Sequence, residues 1–212
     1  MSQRDDIFTF EQASSYVIIA PSNSGKTNLI HHLLNQIRTK PNTKTYIFTN
    51  SNSNSTDSKN LFVNSVDSST DICSYDEKKL YSLLNNYHII NSEPIFVFDD
   101  VTPGFAFKQL LGGYKSNNIN VIFSCQTTKH AREAGALDRA DYVFLRTHDA
   151  DSISLVDCII PLNFKHLFQI DRTRCLQIMT SPYTFLLIHN KLKNNYLPYV
   201  VNHKNPKYHQ RR

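Results

Sequence analysis

Apolar residues along this chain fall into short unbroken blocks, and most blocks are followed by stretches in which they recur every three or four positions. The first block, Tyr16-Val17-Ile18-Ile19-Ala20, is rich in β-branched residues and bounded by Ser14-Ser15 and Pro21-Ser22, which predicts a buried strand. Leu29, Leu33 and Ile37 then recur at spacing four with Ile30 and Leu34 beside them, one face of a helix that must stop before Pro41. Residues 44–49 predict a second strand, and the polar tract at 50–58 is too poor in apolar residues to pack, so it reads as an exposed loop. A short extra strand is expected at 61–66 and a helix at 76–87, carried by Leu80, Leu83 and Leu84. Residues 94–99 form a continuous apolar run ending in acid, as in a strand buried on both faces. Further strands are predicted at 119–125 and 141–145. The segments between them, 104–116 and 128–138, suit helices limited by Gly112-Gly113 and Gly135. Beyond these lie an expected helix at 150–160 and two late strands at 183–189 and 196–201, antiparallel at a sheet edge. Strands alternating with helices predict an α/β fold with a mostly parallel central sheet flanked by helices. No repeat and no linker divides the chain, so 1–202 is expected to form a single domain, followed by a flexible tail at 203–212.

Composition narrows the class. The 212 residues are 40% hydrophobic and 19% charged, too apolar for a disordered chain and sufficient to bury roughly 70% of the unfolded surface. No apolar run reaches the roughly 18 residues a membrane span needs, so no span is expected. The opening Met1-Ser2-Gln3-Arg4-Asp5-Asp6 lacks a basic start followed by an apolar stretch, and the chain is expected not to be secreted. Cys73, Cys125, Cys158 and Cys175 stand singly, which fits reduced structural thiols better than a zinc site or a disulfide framework. Charge is uneven: residues 1–171 carry 15 basic and 18 acidic side chains, residues 172–212 carry 8 basic and none acidic.

The chemistry begins at Ala20-Pro21-Ser22-Asn23-Ser24-Gly25-Lys26-Thr27, which matches the phosphate-binding pattern G-x-x-x-x-G-K-[ST] except that Ala20 replaces the first glycine. The triplet Gly-Lys-[Ser/Thr] alone would occur by chance in roughly one chain in ten of this size. Its context is more telling, because it leaves a predicted strand and opens a predicted helix, aiming backbone N–H groups and the positive helix end at phosphate oxygens. Lys26 would then reach the β and γ phosphates of ATP, with its side chain expected to be exposed, and Thr27 would hold Mg²⁺. The plain alternative is a helix N-terminus bearing an exposed lysine.

Asp99 and Asp100 end the apolar run at 94–99, on the sheet edge where open α/β folds bind ligands. Asp99 is expected beside Mg²⁺, and Asp100 is placed to orient and deprotonate a water aimed at the γ phosphate. The same pair could instead begin a turn through Val101-Thr102-Pro103-Gly104. Gln126 closes the next strand, where its amide could bridge the attacking water and a γ-phosphate oxygen or simply cap the strand. No [Asn/Thr]-Lys-x-Asp sequence is present, which argues against guanine recognition. His31 and His32 are adjacent on the first helix and cannot share a face as metal ligands. The many Tyr and Phe fall within strands, as core residues do.

Taken together, Val17 to Thr27, Ile95 to Val101 and Val121 to Thr127 resemble the poxvirus-type genome-packaging ATPases of the FtsK-HerA group, over roughly residues 12–160. The resemblance implies a RecA-like P-loop NTPase core with an additional strand between the two nucleotide motifs. It further implies ATP and Mg²⁺ as cofactors, assembly into a homo-oligomeric ring (a hexamer or pentamer), and double-stranded DNA as cargo. Viral capsid proteins would be partners, in the virion or at an intracellular site of virus assembly. The family's Gly-Arg-His falls on Tyr114-Lys115-Ser116, so Lys115 could replace that arginine or touch DNA; its downstream arginine falls near Ala136, leaving the trans-acting arginine open among Arg132, Arg139 and Arg146.

Two rival functions remain open: a small-substrate P-loop kinase, for which no Arg-rich lid is visible, and an assembly or DNA-binding protein with a degenerate, non-hydrolysing nucleotide site. The basic segment adds one expectation. Lys204, Lys207, Arg211 and Arg212 lie in a stretch too polar to pack and could contact DNA phosphates, or serve only solubility.

Overall fold

The computed structural model describes residues 10–11, 13–37, 43–50, 69–86, 93–147, 172–189 and 196–200. Eight strands form one sheet: β1 (Ser15–Ile19), β2 (Thr45–Thr49), β3 (Thr70–Ser74), β4 (Ile95–Asp99), β5 (Asn120–Cys125), β6 (Tyr142–Leu145), β7 (Thr184–His189) and β8 (Tyr196–Val200). Their spatial order is β3-β2-β4-β5-β1-β6-β7-β8. The first six pair in parallel, and β7 and β8 join antiparallel at the edge beyond β6. The expected mostly parallel α/β sheet with late antiparallel strands is therefore the observed one.

The apolar blocks are continuous because both faces of the sheet are covered. Tyr16, Ile18, Ile47, Ile95, Val97, Ile122, Tyr142 and Phe144 face α1 (Lys26–Ile37), whose Leu29, Ile30, Leu33 and Leu34 are buried against them. The alternate strand residues Val17, Ile19, Phe48, Phe96, Phe98, Val121, Phe123, Val143 and Leu145 face the other layer. That layer contains α2 (Glu77–Asn86), α3 (Phe105–Gly113), α4 (Thr128–Glu133) and α5 (Arg172–Thr180). Aromatic pairs lock it: Phe48 stacks on Phe98 at 5.2 Å, and Phe107 of α3 meets Phe98 edge-on at 4.7 Å. Each such ring, fully buried, contributes roughly 1.5–3 kcal/mol over its exposed state.

Some sequence expectations meet a different structure. A strand at Thr70–Ser74 forms one edge of the sheet, and the strand expected at 61–66 lies outside the described residues. β3 is only half-buried, so its apolar pattern is too thin to announce a strand. Helix α5 was not expected; its Cys175, Ile178 and Met179 are buried at i, i+3, i+4, a helical spacing hidden among polar neighbours. The helix expected at 150–160, Cys158 and the tail at 203–212 lie outside the described residues. Cys73 and Cys125 are free thiols, Cys175 is buried, and no helix among the described residues is long and apolar enough to cross a membrane.

Candidate nucleotide site

Because β1, β4, β5 and β6 run parallel, their C-terminal ends converge on one edge of the sheet. The segment leaving β1 is sewn to its neighbours by backbone bonds: Ala20 N donates to Cys125 O at 3.1 Å, and Arg146 N donates to Ile19 O at 3.1 Å. Asn23 and Gly25 have φ of +58° and +91°, which turn the loop into a concavity of N–H groups ahead of α1. Gly25 needs its glycine for that angle. Ala20 is fully buried and has no such angle, so the loop tolerates alanine where the pattern has glycine.

Lys26 is not exposed, contrary to the sequence expectation: only 6% of it is accessible. Its Nζ donates to Ala20 O at 3.0 Å and Pro21 O at 3.1 Å and lies 3.4 Å from Asp100 Oδ2. The loop folds back over its own lysine, whose ammonium satisfies the carbonyls of Ala20 and Pro21. Thr27, the second residue of α1, is half-buried at the same helix end.

Asp99 and Asp100 occupy different environments despite being adjacent. Asp99 is buried and accepts a hydrogen bond from Ser124 Oγ on β5. Burial pushes its carboxyl above the usual carboxylate range, opposed by the Ser124 bond, reinforced by Asp100 and opposed by Lys26. Asp100 is more open, with φ of +52°, a left-handed conformation that aspartate adopts more readily than most residues. Its amide donates to Ser124 O at 3.1 Å and Ser124 Oγ at 3.3 Å, and its Oδ2 lies 3.4 Å from Gln126 Nε2. Lys26, Asp100 and Gln126 thus meet around one carboxylate. Ser124 escaped the sequence analysis; the signal was a lone hydroxyl inside the apolar run of β5.

Burial pushes the Cys125 thiol up to about 12, so it stays neutral and is no nucleophile here. Thr49, in register with Asp99 on the next strand, has a buried hydroxyl without a hydrogen-bond partner, and Ser24 of the loop has another. Among the described residues no cluster of three His, Cys, Asp or Glu is present. One buried carboxylate with neighbouring hydroxyls is a sparse set of hard oxygen donors, which suits Mg²⁺ shared with phosphate oxygens rather than a self-contained metal cage.

The other basic candidates separate. Lys115 lies at the opposite end of β1, where its Nζ pairs with Asp141 Oδ1 at 2.8 Å. Asp141 also accepts from Tyr114 Oη at 2.6 Å and from Ser15 N at 3.0 Å. Arg139 is near that end too, with Nη1 donating to Lys108 O at 3.2 Å, and Arg132 is exposed on α4. Among the described residues of this group, Arg146 reaches the loop between β1 and α1, through Nη1 to Ser24 O at 2.6 Å. Lys204, Lys207, Arg211 and Arg212 lie outside the described residues.

Behind the acidic pair, Glu77 at the start of α2 accepts hydrogen bonds from Ala106 N and Tyr75 Oη, while Gly104 N donates to Tyr75 Oη at 3.0 Å. The edge strand and α2 therefore hold the start of α3 and the segment leading back to Asp100. Burial, then the hydrogen bond to Glu77, raises the Tyr75 phenol well above its ordinary range, so it remains a donor.

Comparison with known proteins places the fold. The DNA-packaging ATPase B204 of Sulfolobus turreted icosahedral virus superposes with a TM-score of 0.62 at 15% identity, over 90% of this chain and 98% of that one. The genome-packaging NTPase B204 of Sulfolobus turreted icosahedral virus 2, in complex with ATP-γ-S, gives 0.58 at 14% identity, over 89% and 98%. The cytoplasmic domain of the type VII secretion ATPase EccC of Thermomonospora curvata gives 0.56 at 12% identity, over 88% of this chain and 23% of that one. At these identities the likeness is one of fold alone. No family model and no curated protein matches the sequence.

Proposed function

We propose that this chain is an ATP-hydrolysing translocase that moves double-stranded DNA into a viral capsid. The observation that carries the reading is the meeting of Lys26, Asp100 and Gln126 at 3.4 Å contacts in front of an N–H-lined loop, on the edge where the parallel strands end. The fold shared with packaging NTPases, one of them bound to an ATP analogue, supports the same reading.

In this proposal the loop at Pro21, Ser22, Asn23, Ser24 and Gly25 cradles the phosphates, and Lys26 exchanges its carbonyl partners for phosphate oxygens. Thr27 and Asp99 are the residues that would hold Mg²⁺, which when bound neutralises phosphate charge. Asp100 accepts a proton from the attacking water, and Gln126, hydrogen-bonded to Asp100, transmits the state of the site to the DNA-facing side. The subunits form a hexameric or pentameric ring that engages capsid proteins at the site of virus assembly.

The test is ATP turnover with and without double-stranded DNA, together with the molecular mass of the protein with and without ATP. Turnover stimulated by DNA and a ring-sized mass support the translocase. Phosphate transfer to a nucleotide acceptor would instead make it a kinase, and absence of turnover in the assembled state a scaffold.

A further inference from the structure

Arg146 stands where β6 ends, one strand beyond the phosphate loop, and the pairing of β6 with β1 delivers it there. Its Nη1 donates to Ser24 O at 2.6 Å, and a Cβ built on Gly25 would lie 3.8 Å from the same nitrogen. The guanidinium carbon sits 5.8 Å from the centre of the Phe185 ring on β7, so the head is packed as well as hydrogen-bonded. The side chain is half-buried and its Nε is buried without a hydrogen-bond partner. Among the described residues no carboxylate forms an ion pair with it. Burial lowers its affinity for the proton, partly offset by the nearby Tyr183 phenol. Removing a cation from water without a counter-ion is costly. A guanidinium has five N–H donors in a rigid fork, and the carbonyl of Ser24 uses one.

We propose that Arg146 is a phosphate-binding arginine that acts in cis. It braces the loop through Ser24 and presents its remaining N–H groups to the phosphates of the nucleotide held by the same subunit. This rests on the nucleotide-site reading above and removes Arg146 from the candidates for an arginine delivered to a neighbouring subunit. A head tied to its own loop and packed on Phe185 is committed to its own subunit.

The experiment measures binding of ATP and of inorganic tripolyphosphate by calorimetry, for the wild type, Arg146→Gln and Arg146→Met. The second variant keeps an apolar stem over Phe185, so either one that folds by circular dichroism decides the matter. Loss of a charge-assisted bond to phosphate should weaken both ligands by roughly 10- to 100-fold. Unchanged affinity for both overturns the proposal, and weakening of ATP alone does so too, by moving the contact to the base or ribose. Wild-type protein that binds neither ligand overturns the nucleotide-site reading itself. Mixing Arg146→Gln with Lys26→Ala subunits then separates cis from trans: a cis arginine leaves the mixture inactive, whereas recovered turnover would mean that one subunit supplies Arg146 to the other's Lys26.

Discussion

Lys26 shows how a residue can be legible in type and misread in setting. The string ending in Gly25-Lys26-Thr27 announces a phosphate loop, but the fold-back onto Ala20 O and Pro21 O depends on backbone angles that no motif carries. Lys26→Ala should therefore abolish ATP turnover and also lower stability by about 1–2 kcal/mol, since charge-assisted bonds are lost. A steady-state assay and a thermal melt check both, and wild-type turnover would remove the residue from the site. At Asp100 the left-handed backbone makes asparagine the informative substitution, because asparagine tolerates that angle as aspartate does. Asp100→Asn should keep ATP binding and slow hydrolysis by roughly 10²-fold or more, measured as turnover at saturating ATP. Ser124 was not among the sequence candidates, and Arg146 stood only as one of three arginines, because the placement of both comes from strand register. Ser124 is opposite Asp99, and Arg146 follows a strand that happens to lie beside β1.

Among the elements, helices with strong apolar spacing and strands buried on both faces were readable, whereas β3 and α5, with mixed faces, were not. Tertiary neighbours decide such segments. One consequence can be tested at the junction of α2 and α3, where a Cβ on Gly104 would lie 2.6 Å from Glu77 Oε2. Gly104→Ala should push the Glu77 carboxylate aside and destabilise the protein by about 1–2 kcal/mol through its bonds to Ala106 N and Tyr75 Oη. In Glu77→Ala the same substitution should cost clearly less, so denaturant titrations of the double-mutant cycle should be non-additive by about 1 kcal/mol or more. Additive effects would show that the clash is not what makes glycine necessary. Asp141 ties three elements together at the other end of β1. Burial opposes its ionisation, but the Lys115 bond, the Tyr114 bond and the Ser15 amide outweigh burial and hold its carboxyl below the usual range. A depressed carboxyl stabilises the fold above its unfolded value near 3.9 and loses that contribution as pH falls through the lower folded value. The stability gap between wild type and Asp141→Asn should thus be full at neutral pH and shrink only below about pH 4, as urea melts across that range would record.

For the whole molecule, the charge asymmetry gives a prediction independent of the nucleotide site. Under the proposed DNA-translocating function, deleting residues 203–212 removes Lys204, Lys207, Arg211 and Arg212, so the slope of log DNA affinity against log salt should fall by as much as about 3–4 units. Titrations at several salt concentrations measure it, and an unchanged slope would move the DNA path to the loop edge of the sheet. The fold class was readable because apolar blocks alternating with helical spacing admit few arrangements, but the order of strands was not, since nothing local says which strand lies beside which. That order also governs how the chain must acquire its shape. β1 sits at the heart of the sheet, yet the bond from Ser14 N to Asn120 Oδ1 spans 106 residues and that from Ser15 N to Asp141 Oδ2 spans 126. Such distant closures make folding slow. During synthesis at about 5–20 residues per second, the strand that leads into the 20–27 loop waits roughly 5–20 s for its first neighbour to be made. Throughout that interval Tyr16, Val17, Ile18 and Ile19 lack the strands that flank them in the finished sheet, so the newborn chain should depend on chaperone shelter far more than the finished one.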